Sequence, residues 1–375
     1  MKKTSLPYHR IVIKFGTNLL TSGSGCLDMD AMSRLVSQIA NLHHRGLEIV
    51  VVSSGAIAAG RYKLGKRGEA KSTPYRQVLA SLGQSRLMNI YEQLFEKYQI
   101  AVAQALLTKA DLAERAGYLN ARNTLLALLE LRAICVVNEN DVVAVDEIQE
   151  AKFGDNDNLS AMVANLIDAD LLIMLTDTAG LYNNDPQRYP AAKLISRVDK
   201  IDADIEGLAA GTTGNLGTGG MATKIEAARL ATASGIAVVI ANGNEADAIL
   251  KLTAGENVGT YFVPVSAKLG SRKRWMMSGL VVRGKIFIDS GAGNALKKKK
   301  RSLLAAGIKK VEGKCQRGDI MNIYDSKQNR IGCGISNYSS AEIEVIKGAH
   351  SGRIADLLGY DYGTEVIHRN NLVLF

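Results

Sequence analysis

Long hydrophobic runs are missing from this chain. No apolar stretch approaches the ~18–20 residues needed to cross a bilayer. The charged start, Met1-Lys-Lys-Thr, is followed only by Ile11-Val-Ile13 before Lys14 interrupts, which is too short for a secretory signal. A cytoplasmic protein with no membrane partner is the expectation. Cysteine is sparse as well. Cys26, Cys135, Cys315 and Cys333 stand apart, with no Cys-x-x-Cys pair and no neighbouring histidine, so zinc spacing is excluded and four reduced thiols are expected. His9, His43, His44, His350 and His368 form neither a metal set nor a triad. Hydrolase chemistry therefore has no nucleophile–base pair to stand on, and no side-chain metal site is expected. The 5 prolines are few beside the 36 glycines, which suits regular elements joined by tight glycine loops rather than disorder.

What is present is apolar content and an uneven charge. With 375 residues, two domains are expected on length alone, and an apolar fraction of 47% permits a sizeable core. Residues 1–270 carry 27 Lys and Arg against 28 Asp and Glu, whereas residues 271–375 carry 19 against 9. The basic excess of the chain thus belongs to its last third.

Strand and helix signals alternate through the near-neutral part. Arg10 to Gly16, Leu47 to Val52, Ala101 to Leu107, Ala133 to Asn138, Leu171 to Leu175 and Ile236 to Ile240 read as strands. Their near-continuous apolar character fits strands covered on both faces. Helical spacing is expected over Met29 to His44, Arg76 to Tyr98, Tyr118 to Leu131, Leu159 to Leu166 and Met221 to Ala233. The pattern predicts an α/β fold: an open, mainly parallel sheet sandwiched by helices. From Arg272-Lys-Arg-Trp275 onward the runs become shorter and strand-like (Leu280 to Val282, Lys285 to Asp289, Ile320 to Tyr324, Arg330 to Ile335), with short helices expected at Ala292 to Leu296 and Ser302 to Ala306. The expected organisation is a first domain at 1–265, a linker at 266–278, a small, mostly β domain at 279–363 and a tail at 364–375.

Every polar or glycine-rich cluster of the first domain falls at a strand end or helix start, where open parallel sheets bind ligands. Asp155, Asn156 and Asp157 stand together in Phe153 to Ser160. One carboxylate serves as a helix N-cap, and three adjacent polar groups are more than a cap needs. Lys14 lies in an otherwise apolar strand, a costly position without an anionic partner; the alternative is a lysine at the strand's exposed end. Lys14 with Gly16 and Thr17 makes a plausible phosphate cradle. Gly217-Thr-Gly-Gly-Met-Ala-Thr-Lys224 is a second one at a helix start, and it departs from the Walker spacing. Two lysine-bearing cradles suit phosphoryl transfer, which must stabilise charge on leaving and transferring groups. Ser53-Ser54-Gly55 and Asn138-Glu-Asn-Asp141 are further polar strand ends, with capping and turn formation as the alternative. The run Lys297 to Arg301 admits RNA as a partner. A charge run is more often a solvated face, and the few aromatics nearby give stacking readout poor support.

Taken together, Val12-Ile-Lys-Phe-Gly-Thr17, Val52 to Gly60, Gly83-Gln-Ser85, Leu119-Asn-Ala-Arg122, Asn138 to Asp141, Gly154 to Asp157, Leu175-Thr-Asp177, Gly180-Leu-Tyr182 and Gly217 to Lys224 resemble the amino acid kinase family, most narrowly its glutamate-phosphorylating branch. The basic end, with Gly307 to Gly313, Arg317-Gly-Asp319 and Gly334 to Tyr338, resembles a PUA module. The resemblance implies a transferase that phosphorylates the γ-carboxylate of L-glutamate with ATP and Mg²⁺, the first step towards proline, in a homo-oligomer (dimer or tetramer) inhibited by proline. By position it implies that Ser54, Asp141 and Asn156 hold glutamate. Lys14, Gly16, Thr17, Thr176, Asp177, Thr218, Gly219, Gly220, Met221, Ala222, Thr223 and Lys224 would hold ATP. Lys14 and Lys224 would neutralise the phosphates, with Asp157 orienting both lysines. Two other readings stand beside this one. The first is another carboxylate kinase of the same fold, acting on N-acetylglutamate or aspartate, and the second is an RNA-binding PUA protein with a dormant kinase domain.

Overall fold

A computed structural model describes residues 7–65, 72–113, 115–144, 156–186, 188–210, 220–265 and 283–374. The chain divides into two compact units, one of residues 1–112 and 121–268, the other of residues 113–120 and 269–375.

From Arg10 to Phe262 the elements run β1 (Arg10–Phe15), α1 (Thr17–Thr21), α2 (Met29–His44), β2 (Glu48–Val52), α3 (Ala56–Lys63), α4 (Thr73–Glu96), β3 (Val102–Leu107), α5 (Lys109–Ala113), α6 (Arg115–Glu130), β4 (Ile134–Glu139), α7 (Asn156–Leu166), β5 (Leu171–Thr176), β6 (Arg197–Val198), α8 (Ala203–Ala210), α9 (Met221–Ala233), β7 (Ala237–Asn242), α10 (Ala248–Thr253) and β8 (Thr260–Phe262). They build an eight-stranded sheet in the order β3-β4-β2-β1-β5-β7-β8-β6, parallel except where β8 runs against β7. The mainly parallel sheet is as the apolar strands predict. Strands β2, β1, β5 and β7 are buried over nearly their whole length, which is why they show no polar alternation.

Local chemistry sets the helix ends. Asp28 caps α2 by accepting from the N–H groups of Asp30 and Ala31, and Met32, Leu35, Val36, Ile39 and Leu42 then bury one face. Helix α3 carries no such apolar stripe. It is held against α4 by small residues: a Cβ on Gly83 would lie 1.8 Å from the Ala56 carbonyl oxygen, and one on Gly60 would lie 1.9 Å from that of Leu79. Only glycine permits that approach.

The second unit has a five-stranded sheet, β11-β9-β12-β13-β15, made of Ile308–Gly313, Gly284–Ile288, Ile320–Tyr324, Arg330–Ile335 and Leu372–Leu374. A separate pair joins β10 (Leu303–Leu304) to β14 (Glu365–Ile367). Ile286, Ile323, Tyr338, Ile343 and Val366 are central to its core, and Leu119 is buried with Ile320, Cys333 and Ile335. The helix expected at Ala292 to Leu296 is present as Ser290–Lys299 and carries Lys297 and Lys298 of the basic run. The one expected at Ser302 to Ala306 is not a helix. Leu303 pairs with Ile367 and a single 3₁₀ turn follows, because strand pairing outweighs a weak local preference. The strand expected at Leu280 to Val282 lies outside the described residues.

Candidate active site

The chain lays down β1, adds β2 and β4 on one side, then crosses to place β5 and β7 on the other. Strand β1 is therefore the point where the order reverses, and open parallel sheets bind ligands beyond the carboxyl end of such a strand. Lys14 pairs in register with Val52 of β2 and Met174 of β5. The strand ends then bring together Gly16 and Thr17 after β1, Ser53 and Ser54 after β2, Asn138 in β4, and Thr176 and Asp177 at β5. Gly16 donates its N–H to the Leu175 carbonyl at 3.1 Å, which ties two of these ends directly.

Helix α7 starts at Asn156, three residues earlier than the sequence predicts, so Asn156 and Asp157 occupy its first turn rather than precede it. The dipole explains the extension, since a carboxylate is favoured in the first turn. Asp157 is 1% exposed. Its Oδ1 lies 2.5 Å from Nζ of Lys14 and its Oδ2 lies 3.2 Å from Nζ of Lys224, with both lysines buried. Thr223 Oγ1 sits 2.8 Å from the same Oδ2. Burial by itself would raise the pKa of Asp157, but Lys14 and Lys224 outweigh it and hold the carboxyl well below the usual carboxylate range. Two ammonium groups share this one carboxylate in a dry place, and the Asp177 carboxylate also acts on Lys224.

A chain of side-chain amides stands beside this cluster. Asn156 Nδ2 lies 3.2 Å from Ser54 Oγ and 3.2 Å from Asn138 Oδ1, while Asn138 Nδ2 donates to Gln84 Oε1 at 2.8 Å. Ser53 is turned away, its hydroxyl 2.8 Å from that of Tyr91. At the end of β5, Asp177 accepts from Asn18 Nδ2 at 2.9 Å and from Thr176 Oγ1 at 3.0 Å. Burial raises its pKa, and these two hydrogen bonds bring it down below the ordinary value. Gly220, Met221, Ala222, Thr223 and Lys224 form the start of α9, whose N-cap, Gly220, offers no side-chain acceptor to the first N–H groups.

Residues 9–242 match the model of the amino acid kinase family, and residues 284–358 match that of the PUA domain. The chain belongs to the amino acid kinase family. Curated relatives include proteins named glutamate 5-kinase from Dehalococcoides mccartyi (strain CBDB1), 60% identical over 98% of each chain. Others with that name come from Herpetosiphon aurantiacus, 50% identical over 98% of each, and Shewanella sediminis, 48% identical over the full length of both. The architecture is accordingly the amino acid kinase fold followed by a C-terminal PUA domain with a small, mostly strand sheet.

In this amino acid kinase domain the structure brings together Lys14, Asp157 and Lys224, and joins Ser54 to Asn156. Asp141 is partly exposed in the turn after β4. Asp155, Thr218 and Gly219 lie outside the described residues. Sequence reasoning gave no role to Asn18, Gln84 or Asn138, although Gln84 and Asn138 fall within motifs that carried the family resemblance. The donor set bears on Mg²⁺ as well. Both oxygens of Asp157 face lysines, and among the described residues no group of three His, Cys, Asp or Glu converges. That fits a Mg²⁺ carried chiefly on a nucleotide's phosphates, its usual mode, rather than one in a protein cage.

Proposed function

We propose that the chain transfers the γ-phosphoryl group of ATP to the γ-carboxylate of L-glutamate, giving glutamyl 5-phosphate and ADP. The observation that carries this reading is the shared carboxylate, with Lys14 and Lys224 on the two oxygens of Asp157 at 2.5 and 3.2 Å. A carboxylate oxygen attacks the γ-phosphorus as the bond to the β–γ bridging oxygen breaks. The attacking carboxylate has no proton to lose, so no general base is needed. What remains is in-line positioning and charge stabilisation. Lys14 and Lys224 neutralise charge on the transferring and leaving groups, aimed by Asp157. Bound Mg²⁺ adds positive charge on the nucleotide's phosphates. Gly16, Thr17, Thr176, Asp177 and the stretch Thr218 to Lys224 hold ATP.

Ser54, Asp141 and Asn156 hold the acid, and Asp141 pairs with its free amine. That pairing disfavours N-acetylglutamate, whose nitrogen is no longer cationic. The family reading extends to proline biosynthesis in the cytoplasm, to feedback inhibition by proline and to a homo-oligomer. It also keeps the domain boundaries at 1–265 and 279–363.

An ADP-release assay across glutamate, aspartate and N-acetylglutamate, repeated with proline added, tests the reading. Turnover with glutamate that proline suppresses is expected. Turnover confined to N-acetylglutamate or aspartate would replace the substrate, and silence on all three would remove the kinase assignment.

A further inference from the structure

The backbone N–H of Glu139 donates to Oδ1 of Asn138 at 2.9 Å. A main-chain N–H is always a donor, so this contact fixes which end of the Asn138 amide is oxygen. The nitrogen end then serves Oε1 of Gln84 at 2.8 Å. Gln84 is left with its own Nε2 buried and without a hydrogen-bond partner among the described residues. On the other arm, Asn156 turns Nδ2 towards Asn138 Oδ1 and Ser54 Oγ. Its Oδ1 is buried and likewise has no hydrogen-bond partner among the described residues. Asn156 as a whole is 6% exposed. One N–H of the main chain thus polarises two amides, leaving a buried donor on one and a buried acceptor on the other.

Native structures seldom keep such atoms unmatched, and a ligand or an ordered water usually completes them. The main-chain end of a free amino acid carries the complementary pair, a carboxylate that accepts and an ammonium group that donates. The Gly83 contact with Ala56 brings Gln84 close to the start of α3, directly after Ser54 and Gly55. We propose that Gln84 is a specificity-determining residue of the acid site, donating from Nε2 to the α-carboxylate of the bound amino acid while Asn156 Oδ1 accepts from its ammonium group. The inference rests on the carboxylate-kinase reading above and deepens it, because it assigns recognition of the end of the substrate remote from the reacting carboxylate.

Gln84→Glu keeps the shape and replaces the donor with an acceptor oxygen, and Gln84→Met removes the polar head. KM and kcat are read at saturating ATP for L-glutamate and for L-isoglutamine, whose α-carboxylate is an amide and whose γ-carboxylate is intact. In wild type, glutamate is expected to be preferred by at least about tenfold, the size of one charge-assisted hydrogen bond. In Gln84→Glu, KM for glutamate should rise about 10–100-fold with kcat held within about threefold, and the preference over isoglutamine should collapse. Gln84→Met should also lose the preference. A preference that survives in either folded variant overturns the proposal, as does an equal loss for both acids, which marks a structural role. Should neither variant fold, equal KM values for the two acids in wild type overturn it and a tenfold preference supports it. A wild type inactive on glutamate removes the kinase reading and this inference together, whereas an active wild type with an unchanged ratio in Gln84→Glu removes the inference alone.

Discussion

Lys14 and Lys224 reach opposite oxygens of the same carboxylate, that of Asp157, one from the end of a central strand and the other from the first turn of α9. Neither ammonium would rest comfortably in this dry position without that carboxylate. The carboxylate is shared between them, and Asp177 adds its charge on the Lys224 side.

Removing one lysine should therefore weaken transition-state stabilisation more than substrate binding. Lys224→Ala is expected to lower kcat by about 10²–10³, the usual cost of deleting one charge partner of the transferring group. Steady-state kinetics with varied ATP and acid check this. Unchanged turnover would contradict the role assigned to Lys224.

Asp157→Asn leaves two buried ammonium groups facing a neutral amide. Breaking a buried pair typically costs about 3–5 kcal/mol, so a loss of that order is expected in urea unfolding. Turnover should fall with it. A variant as stable as the parent would mean that the lysines find another anion.

The same carboxylate fixes a pH dependence. Its folded pKa is depressed, so its ionised form adds stability above the ordinary carboxylate value of about 4 and that contribution is lost as pH falls through the folded value. Urea melts of the parent and Asp157→Asn at a series of pH values should show a gap that is constant near neutrality and narrows only in strong acid. For the same reason, no limb of the kinase pH profile near neutrality should belong to Asp157. A gap that closes well above pH 4 would show that the lysines do not hold the group ionised.

Gly83→Ala places a methyl group 1.8 Å from the Ala56 carbonyl oxygen, which forces α3 and α4 apart. Overpacking of this kind costs about 1–3 kcal/mol or more. A lowered melting temperature is expected, together with a raised KM for the acid because Ser54 and Gln84 shift. Gly207→Ala, in α8, is the control for the substitution itself, since its backbone is helical and nothing lies within 4 Å of a Cβ there.

Much of this was legible in the residues. Met29 to His44 follows from helical spacing, and the buried strands follow from their unbroken apolar character. Lys14 stood out because a cation inside such a strand demands an anion. Helix α3 was hidden because Ser53 to Gly60 holds, apart from Ile57, only small residues with no apolar period; a glycine contact with α4 holds it, a feature of two helices rather than of one. The early start of α7 needs the dipole and the two lysines together. The amide chain from Gln84 through Asn138 to Asn156 depends on a backbone N–H and on pairings 54 and 18 residues apart, which local pattern does not encode. In the second unit the few aromatics hid another pairing: Phe287 and Tyr324 sit on adjoining strands with ring centres 5.2 Å apart.

The cluster draws its three charges from β1, α7 and α9, so it depends on the order in which the chain is made. A ribosome that has released the polypeptide only as far as β5 has produced one ammonium and its carboxylate, a neutral couple with little hold on a triphosphate. The third charge arrives only with α9, so a phosphate site of the kind proposed is complete only once that helix is made.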